Sequence, residues 1–295
     1  MLSFGLFVIL LMLTKRNVAD IEKKNATDQC TPGQFPSHVC ILYLKNEQLC
    51  GGTIIHPRHV LTSSYCFRDS LERRNLTKKF VLAGDVTWGH VKTRFSQTRN
   101  ITHLIQHPGS YRDGFDLDDI AVLKVNQSFD ENYYVVSIEL SSEPPDIGVQ
   151  CTILGWSQAG LSRKTTTLRK GLVYVQRQIK CGGNLVEDIE RIICGANSDT
   201  THTPCMVDPG GPLICNNKLA GVHTRANRDC DNQTYGSYFM NVAFYRDWIT
   251  RTIEWDGYGA EPEARTAEYR FGGAANRNVF KFIIYLVTQM LRIVM

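Results

Sequence analysis

Cys205-Met206-Val207-Asp208-Pro209-Gly210-Gly211-Pro212-Leu213-Ile214-Cys215 is the stretch on which the reading of this chain turns. Two cysteines bracket an acid, two prolines and two adjacent glycines. Pro209 has no hydroxyl to attack a carbonyl, and its ring nitrogen carries no hydrogen to donate. Val207, two residues earlier, is stiff and β-branched. A carboxylate, Asp208, therefore stands beside a residue that offers neither a nucleophile nor a backbone donor.

The rest of the composition bounds the answer. The chain has 295 residues, 43% hydrophobic and 21% charged. That suits a packed globule rather than wholesale disorder, in one large all-β domain or two ordinary ones. The net charge of +4 reads as a slightly basic soluble surface and does not point to nucleic acid. There are ten cysteines: Cys30, Cys40, Cys50, Cys66, Cys151, Cys181, Cys194, Cys205, Cys215 and Cys230. An even count behind an apolar N-terminus points to an oxidising compartment. No Cys-x-x-Cys pair occurs, so no zinc site is expected, nor any other metal or cofactor. Residues 4–13 form an apolar run too short to span a bilayer. Residues 1–19 read as a secretory signal peptide, although Lys15 and Arg16 follow the run rather than precede it. Five Asn-x-Ser/Thr sequons, at Asn25, Asn75, Asn100, Asn126 and Asn232, agree with secretion and glycosylation.

Three separated motifs carry a resemblance. The opening stretch resembles the nucleophile loop of the trypsin/chymotrypsin-like serine proteases, Gly-Asp-Ser-Gly-Gly-Pro-Leu between two cysteines. Cys50-Gly51-Gly52-Thr53-Ile54-Ile55 through Val60-Leu61-Thr62-Ser63-Ser64-Tyr65-Cys66 resembles the family's Cys-Gly-Gly-Thr-Ile-Ile and Val-Leu-Thr-Ala-Ala-His-Cys. Asp119-Ile120-Ala121-Val122-Leu123-Lys124-Val125 resembles Asp-Ile-Ala-Leu-Leu-Lys-Leu. The resemblance covers about residues 30–250, from Gln34-Phe35-Pro36 to the closing Trp248-Ile249. It implies an all-β fold of two packed six-stranded antiparallel β-barrels with a C-terminal helix, and here an additional C-terminal tail. The expected organisation is a signal peptide (1–19), an N-terminal segment (20–29), the protease-like domain (30–250), a linker (251–278) and a terminal helix (279–295).

The same resemblance makes the chain look disarmed. The serine position is Pro209, the histidine position is Tyr65, and the aspartate position is Asp119. A phenol titrates near ~10 and is a poor base at neutral pH; Asp119 is expected to serve local hydrogen bonds instead. Val207 stands where a permissive glycine supplies an oxyanion donor. By resemblance, Thr203 lies at the base of the specificity pocket. Thr224, Arg225 and Ala226 replace its Ser-Trp-Gly wall. His56, His59 and His223 are out of register with the histidine position. No apolar start suited to an activating cleavage occurs near Lys24 and Asn25, so a zymogen-like or collapsed pocket is expected, with Asp208 hydrogen-bonded locally or solvated. The resemblance pairs Cys50 with Cys66, Cys151 with Cys215, Cys181 with Cys194 and Cys205 with Cys230. Cys30 and Cys40 remain and are expected to pair with each other.

The tail follows its own pattern. Lys281, Tyr285, Thr288, Gln289 and Arg292 form a narrow polar stripe at helical spacing, and apolar residues fill the remainder of 279–295. Such a helix docks on its own domain, lies on a membrane surface or binds a partner. The expected function is a secreted, non-catalytic serine protease homologue that binds extracellular proteins, active proteases or their zymogens, as cofactor, decoy or regulator. An active endopeptidase with a rearranged site and a membrane-tethered adhesion or scaffold protein are the alternatives.

Overall fold

Short runs of β-branched and aliphatic residues separated by turns build this chain from strands. The structure is a computed structural model describing residues 28–43, 47–68, 75–88, 93–110, 118–156, 167–181, 190–196, 208–224 and 236–263. The expected signal peptide, the terminal helix 279–295, Thr203, Val207, Arg225, Ala226, Cys205, Cys230, Asn25 and Asn232 lie outside the described residues.

In chain order the strands are β1 (Asp28–Gln29), β2 (His38–Tyr43), β3 (Glu47–His56), β4 (His59–Thr62), β5 (Lys79–Ala83), β6 (Gln97–Gln106), β7 (Ala121–Val125), β8 (Gln150–Gly155), β9 (Arg169–Gln176), β10 (Ile192–Ala196), β11 (Pro212–Cys215), β12 (Lys218–His223) and β13 (Ser237–Asn241); helix α1 (Val242–Glu254) follows. The first barrel closes in the order β2-β3-β4-β7-β6-β5. The second runs β9-β10-β13-β12-β11-β8 and closes through β8–β9, with β1 added beside β9. The expected two-barrel fold is thus present. Closure leaves no long open sheet edge in either barrel.

Each barrel has its own core. Val39, Ile41, Ile54, Val60, Val81 and Leu123 fill the first; Ile153, Val173, Leu213 and Phe239 fill the second. A third cluster joins the barrels to α1, whose buried Val242, Tyr245, Trp248, Ile249 and Thr252 recur at helical spacing. Asn241 caps the helix, its side-chain oxygen accepting the Ala243 N–H at 3.2 Å.

The helix runs through Glu254 and so takes up the first residues of the expected 251–278 linker. The buried Lys124 supplies a reason. Its Nζ donates to the carbonyls of Trp255 at 3.1 Å and Asp256 at 2.8 Å, tying down the chain just past the helix end.

Three disulfides form among the described residues: Cys50–Cys66, Cys151–Cys215 and Cys181–Cys194. They are the pairs the resemblance implies. The expected Cys30–Cys40 bridge is not among them. Both cysteines are buried in one cluster with Leu42, Leu82, Leu154, Trp156 and Leu168.

Candidate functional site

Tyr65, Asp119 and Pro209, the three positions singled out from the sequence, converge between the barrels. Strand β4 ends at Thr62, and Ser63 caps the 3-10 turn Ser64–Phe67, its Oγ accepting the Tyr65 N–H at 3.1 Å. Asp119 enters from the segment before β7. Its neighbour Asp118 has a φ of 59°, a region non-glycine residues rarely visit. Bonds from Arg191 Nη1 at 2.8 Å and the Tyr245 hydroxyl at 2.7 Å fix Asp118 in that conformation.

Asp119 is buried, and each of its two oxygens accepts a hydrogen bond from the turn opposite. Oδ1 accepts the Tyr65 backbone N–H at 2.7 Å, and Oδ2 accepts the Ser63 hydroxyl at 2.7 Å. Burial raises its pKa above the ordinary carboxylate value; the Ser63 hydroxyl, the Tyr65 amide, Arg68 and the Ser64 amide pull the other way. Tyr65 thus meets Asp119 through its backbone. Its ring is half-buried, with the Arg68 guanidinium 5.1 Å from the ring centre. The neighbouring hydroxyls are also committed. Ser63 and Ser64 are both buried, and Ser64 donates to the Ile120 carbonyl at 2.8 Å.

The Pro209 turn is wedged between the barrels. Its carbonyl accepts the Gly51 N–H at 2.9 Å, while Gly210 N–H donates to the His223 carbonyl at 2.8 Å. Gly210 has a φ of 82°, and a Cβ there would run into Thr62 Oγ1 and the Gly51 carbonyl. Only glycine fits that close approach without strain. This packing brings Pro209 beside the Thr62–Tyr65 segment, although the two are far apart in the chain.

Asp208 is buried and bonded by residues distant in the sequence. Its Oδ2 accepts the Gln48 amide at 2.6 Å and the Trp156 backbone N–H at 2.7 Å. His38 stacks on Trp156, ring centres 4.8 Å apart and 20° from parallel. Burial depresses the pKa of His38 to about 3, offset in part by the Gly52 backbone. It lowers that of His223 to about 4, offset in part by the Asp208 backbone. Both imidazoles are therefore neutral at physiological pH.

Other residues singled out from the sequence fall elsewhere. His56 and His59 face each other across the β3–β4 turn, Nδ1 to Nδ1 at 3.1 Å. Thr224 is buried, its N–H donating to the Tyr238 carbonyl at 3.2 Å. Gln48 and His38 were missed by sequence reasoning. Their only local signal is a polar residue at an inward-facing position of a strand. Among the described residues, no group of three His, Cys, Asp or Glu is placed to hold a metal. No described helix is long and apolar enough to cross a membrane.

Two closed six-stranded barrels with this aspartate-bearing turn between them define a trypsin-like serine protease domain. The chain belongs to that family, since the model described as Trypsin matches residues 24–249. Human kallikrein-4 is 25% identical over 229 residues, covering 77% of this chain and 86% of its own. Trypsin eta of Drosophila melanogaster is 30% identical over 211 residues, covering 69% and 76%. Among solved structures, neuropsin, a serine protease of mouse brain, superposes with a TM-score of 0.66 at 24% identity, covering 77% of this chain and 98% of its own. Human heparin binding protein gives a TM-score of 0.67 at 23% identity, covering 80% and 99%.

Proposed function

We propose that this chain is a secreted, non-catalytic serine protease homologue that acts by binding. Its partners on this reading are extracellular proteins, active proteases or their zymogens among them. It serves them as cofactor, decoy or regulator in a proteolytic cascade. The observation that carries the reading is at Asp119, where the residue facing the carboxylate is Tyr65, which bonds it through its backbone N–H and has no imidazole to be oriented. Pro209 adds the loss of the nucleophile, and Val207, by its place in the sequence, the loss of an oxyanion donor. Arg225 and Ala226 stand against an ordinary substrate wall. Asp208, engaged by Gln48 and Trp156, supports a pocket that does not await a new N-terminal amine.

Several relatives are proteases by name, so peptidase activity is the second reading. It requires a substitute nucleophile, base and oxyanion donor together. Ser63 and Ser64, the nearest hydroxyls in sequence, are buried and donate elsewhere. Residues 279–295, by their sequence pattern, add a membrane-surface contact to the binding reading.

Loss of nucleophile or base alone costs on the order of 10⁶ in rate in a serine protease. The protein is therefore expected to show no labelling by an active-site fluorophosphonate. The Tyr65→His, Pro209→Ser double variant is expected to show negligible peptidase activity until Val207→Gly is added, because one oxyanion donor contributes roughly 10²–10³. Labelling of the unaltered chain overturns the reading.

A further inference from the structure

Three sequons that look scattered in the sequence meet on one face of the first barrel. Asn100 lies on β6. Its N–H donates to Asn126 Oδ1 at 3.0 Å, and the Asn126 N–H donates back to the Asn100 carbonyl at 2.9 Å. The Asn126 side chain therefore extends the β6–β7 ladder by one rung. Asn75 caps the 3-10 turn Leu76–Lys78, which packs against β6. Its Oδ1 accepts both the N–H of Thr77 at 3.1 Å and the Thr77 hydroxyl at 2.7 Å. All three asparagines are exposed. In Asn75 and Asn126 the bonded end of the side chain is the carbonyl. Among the described residues neither amide nitrogen, the atom that carries sugar, donates a hydrogen bond.

We infer that Asn75, Asn100 and Asn126 carry N-linked oligosaccharides that together cover the β5–β6–β7 face of the first barrel and exclude protein partners from it. The donor is an oligosaccharide on a polyprenyl diphosphate. The asparagine nitrogen forms a bond to sugar C1, the bond from C1 to the diphosphate oxygen breaks, and the diphosphate leaves with the electron pair. The amide gives up one proton. Transfer precedes barrel closure, because in the folded chain the Thr102 hydroxyl of the Asn100 sequon is bonded to the Lys124 carbonyl at 2.9 Å. The folded barrel then presents all three attachment points outward. Packing explains the clustering. β6 lies between β5 and β7, so a sequon on β6, one at the end of β7 and one just before β5 become neighbours.

The inference shares with the proposed function only the passage through the secretory pathway and is independent of whether the site is catalytic. The test uses the full chain secreted from eukaryotic cells. N-glycosidase F in heavy-oxygen water converts each occupied asparagine to a mass-tagged aspartate. We expect tags at Asn75, Asn100 and Asn126. Thr77→Ala, Thr102→Ala and Ser128→Ala, which leave the asparagines in place, are each expected to remove one tag. The cover is read by an amine-reactive label. Labelling of Lys78, inside the Asn75–Lys78 turn, should rise several-fold on enzymatic deglycosylation. Labelling of Lys218, whose side chain is 41% exposed on the second barrel, should not change. A secreted chain that lacks a tag at any of the three sites overturns the inference, as does equal Lys78 labelling before and after deglycosylation. Both results leave the binding-protein reading standing. Fluorophosphonate labelling of a fully tagged chain would do the reverse.

Discussion

Acid should unfold this protein through two histidines at the barrel junction. His38 and His223 are buried and neutral, their pKa values lowered to about 3 and about 4. In the unfolded chain both titrate near the ordinary ~6.5. The unfolded state therefore binds more protons, and stability rises with pH. Their full contribution is present above about pH 6.5 and is withdrawn as the pH falls toward the folded values. Between about pH 7 and about pH 5 each histidine withdraws about 2 kcal/mol, and the pair about 4 kcal/mol. For a domain of this size that is a fall in Tm of roughly 8–16 °C. His59, lowered to about 4 by burial and then by His56, Lys124 and Arg58, acts in the same direction. Asp119, whose pKa is raised by burial, acts in the opposite one: its penalty grows as the pH rises through its folded pKa. Both remain in the comparison protein and cancel. That protein is the His38→Phe, His223→Leu double variant. The first change keeps a ring against Trp156, and the second keeps a buried apolar side chain beside Phe239. Urea unfolding at a series of pH values gives the stability of each protein. The double variant should lose most of the pH dependence, whatever its absolute stability. A pH dependence matching the parent's to within about 1 kcal/mol between those limits would refute the assignment of both histidines as buried and neutral.

Asp119→Ala should lower stability by about 2–4 kcal/mol in denaturant unfolding, because the Ser63 hydroxyl and the Tyr65 N–H lose their carboxylate partner in a buried turn; a change below about 1 kcal/mol would show that the turn does not depend on it. Gly210→Ala should cost about 3 kcal/mol or more and reduce the yield of folded protein, since the added methyl meets Thr62 Oγ1 and the Gly51 carbonyl at a positive φ; an alanine variant with unchanged stability would mean that the inter-barrel contact is looser than described.

The family was legible in short segments of sequence because its motifs are local. Cys50-Gly51-Gly52, the run before Cys66 and Asp119-Ile120-Ala121 each keep their spacing whatever surrounds them. The chemistry of Pro209 was equally local: it lacks a hydroxyl and an N–H by its own covalent structure. What the remaining groups do was not local. Asp119 has two donors in Ser63 and Tyr65 only because β4 and β7 are hydrogen-bonded neighbours. Asp208 is met by Gln48 across a separation of 160 residues, and no spacing rule reaches that far. The low pKa values of His38 and His223 come from burial, which depends on how the two barrels close around them rather than on adjacent residues. Glycine at 210 could be read as a turn former, but the Thr62 and Gly51 atoms that make it obligatory belong to another barrel. The sequence alone marked each sequon, and the order of strands β5, β6 and β7 placed three of them together. Residue identity limits what each group can do chemically; long-range packing decides which groups meet and how far each is removed from water.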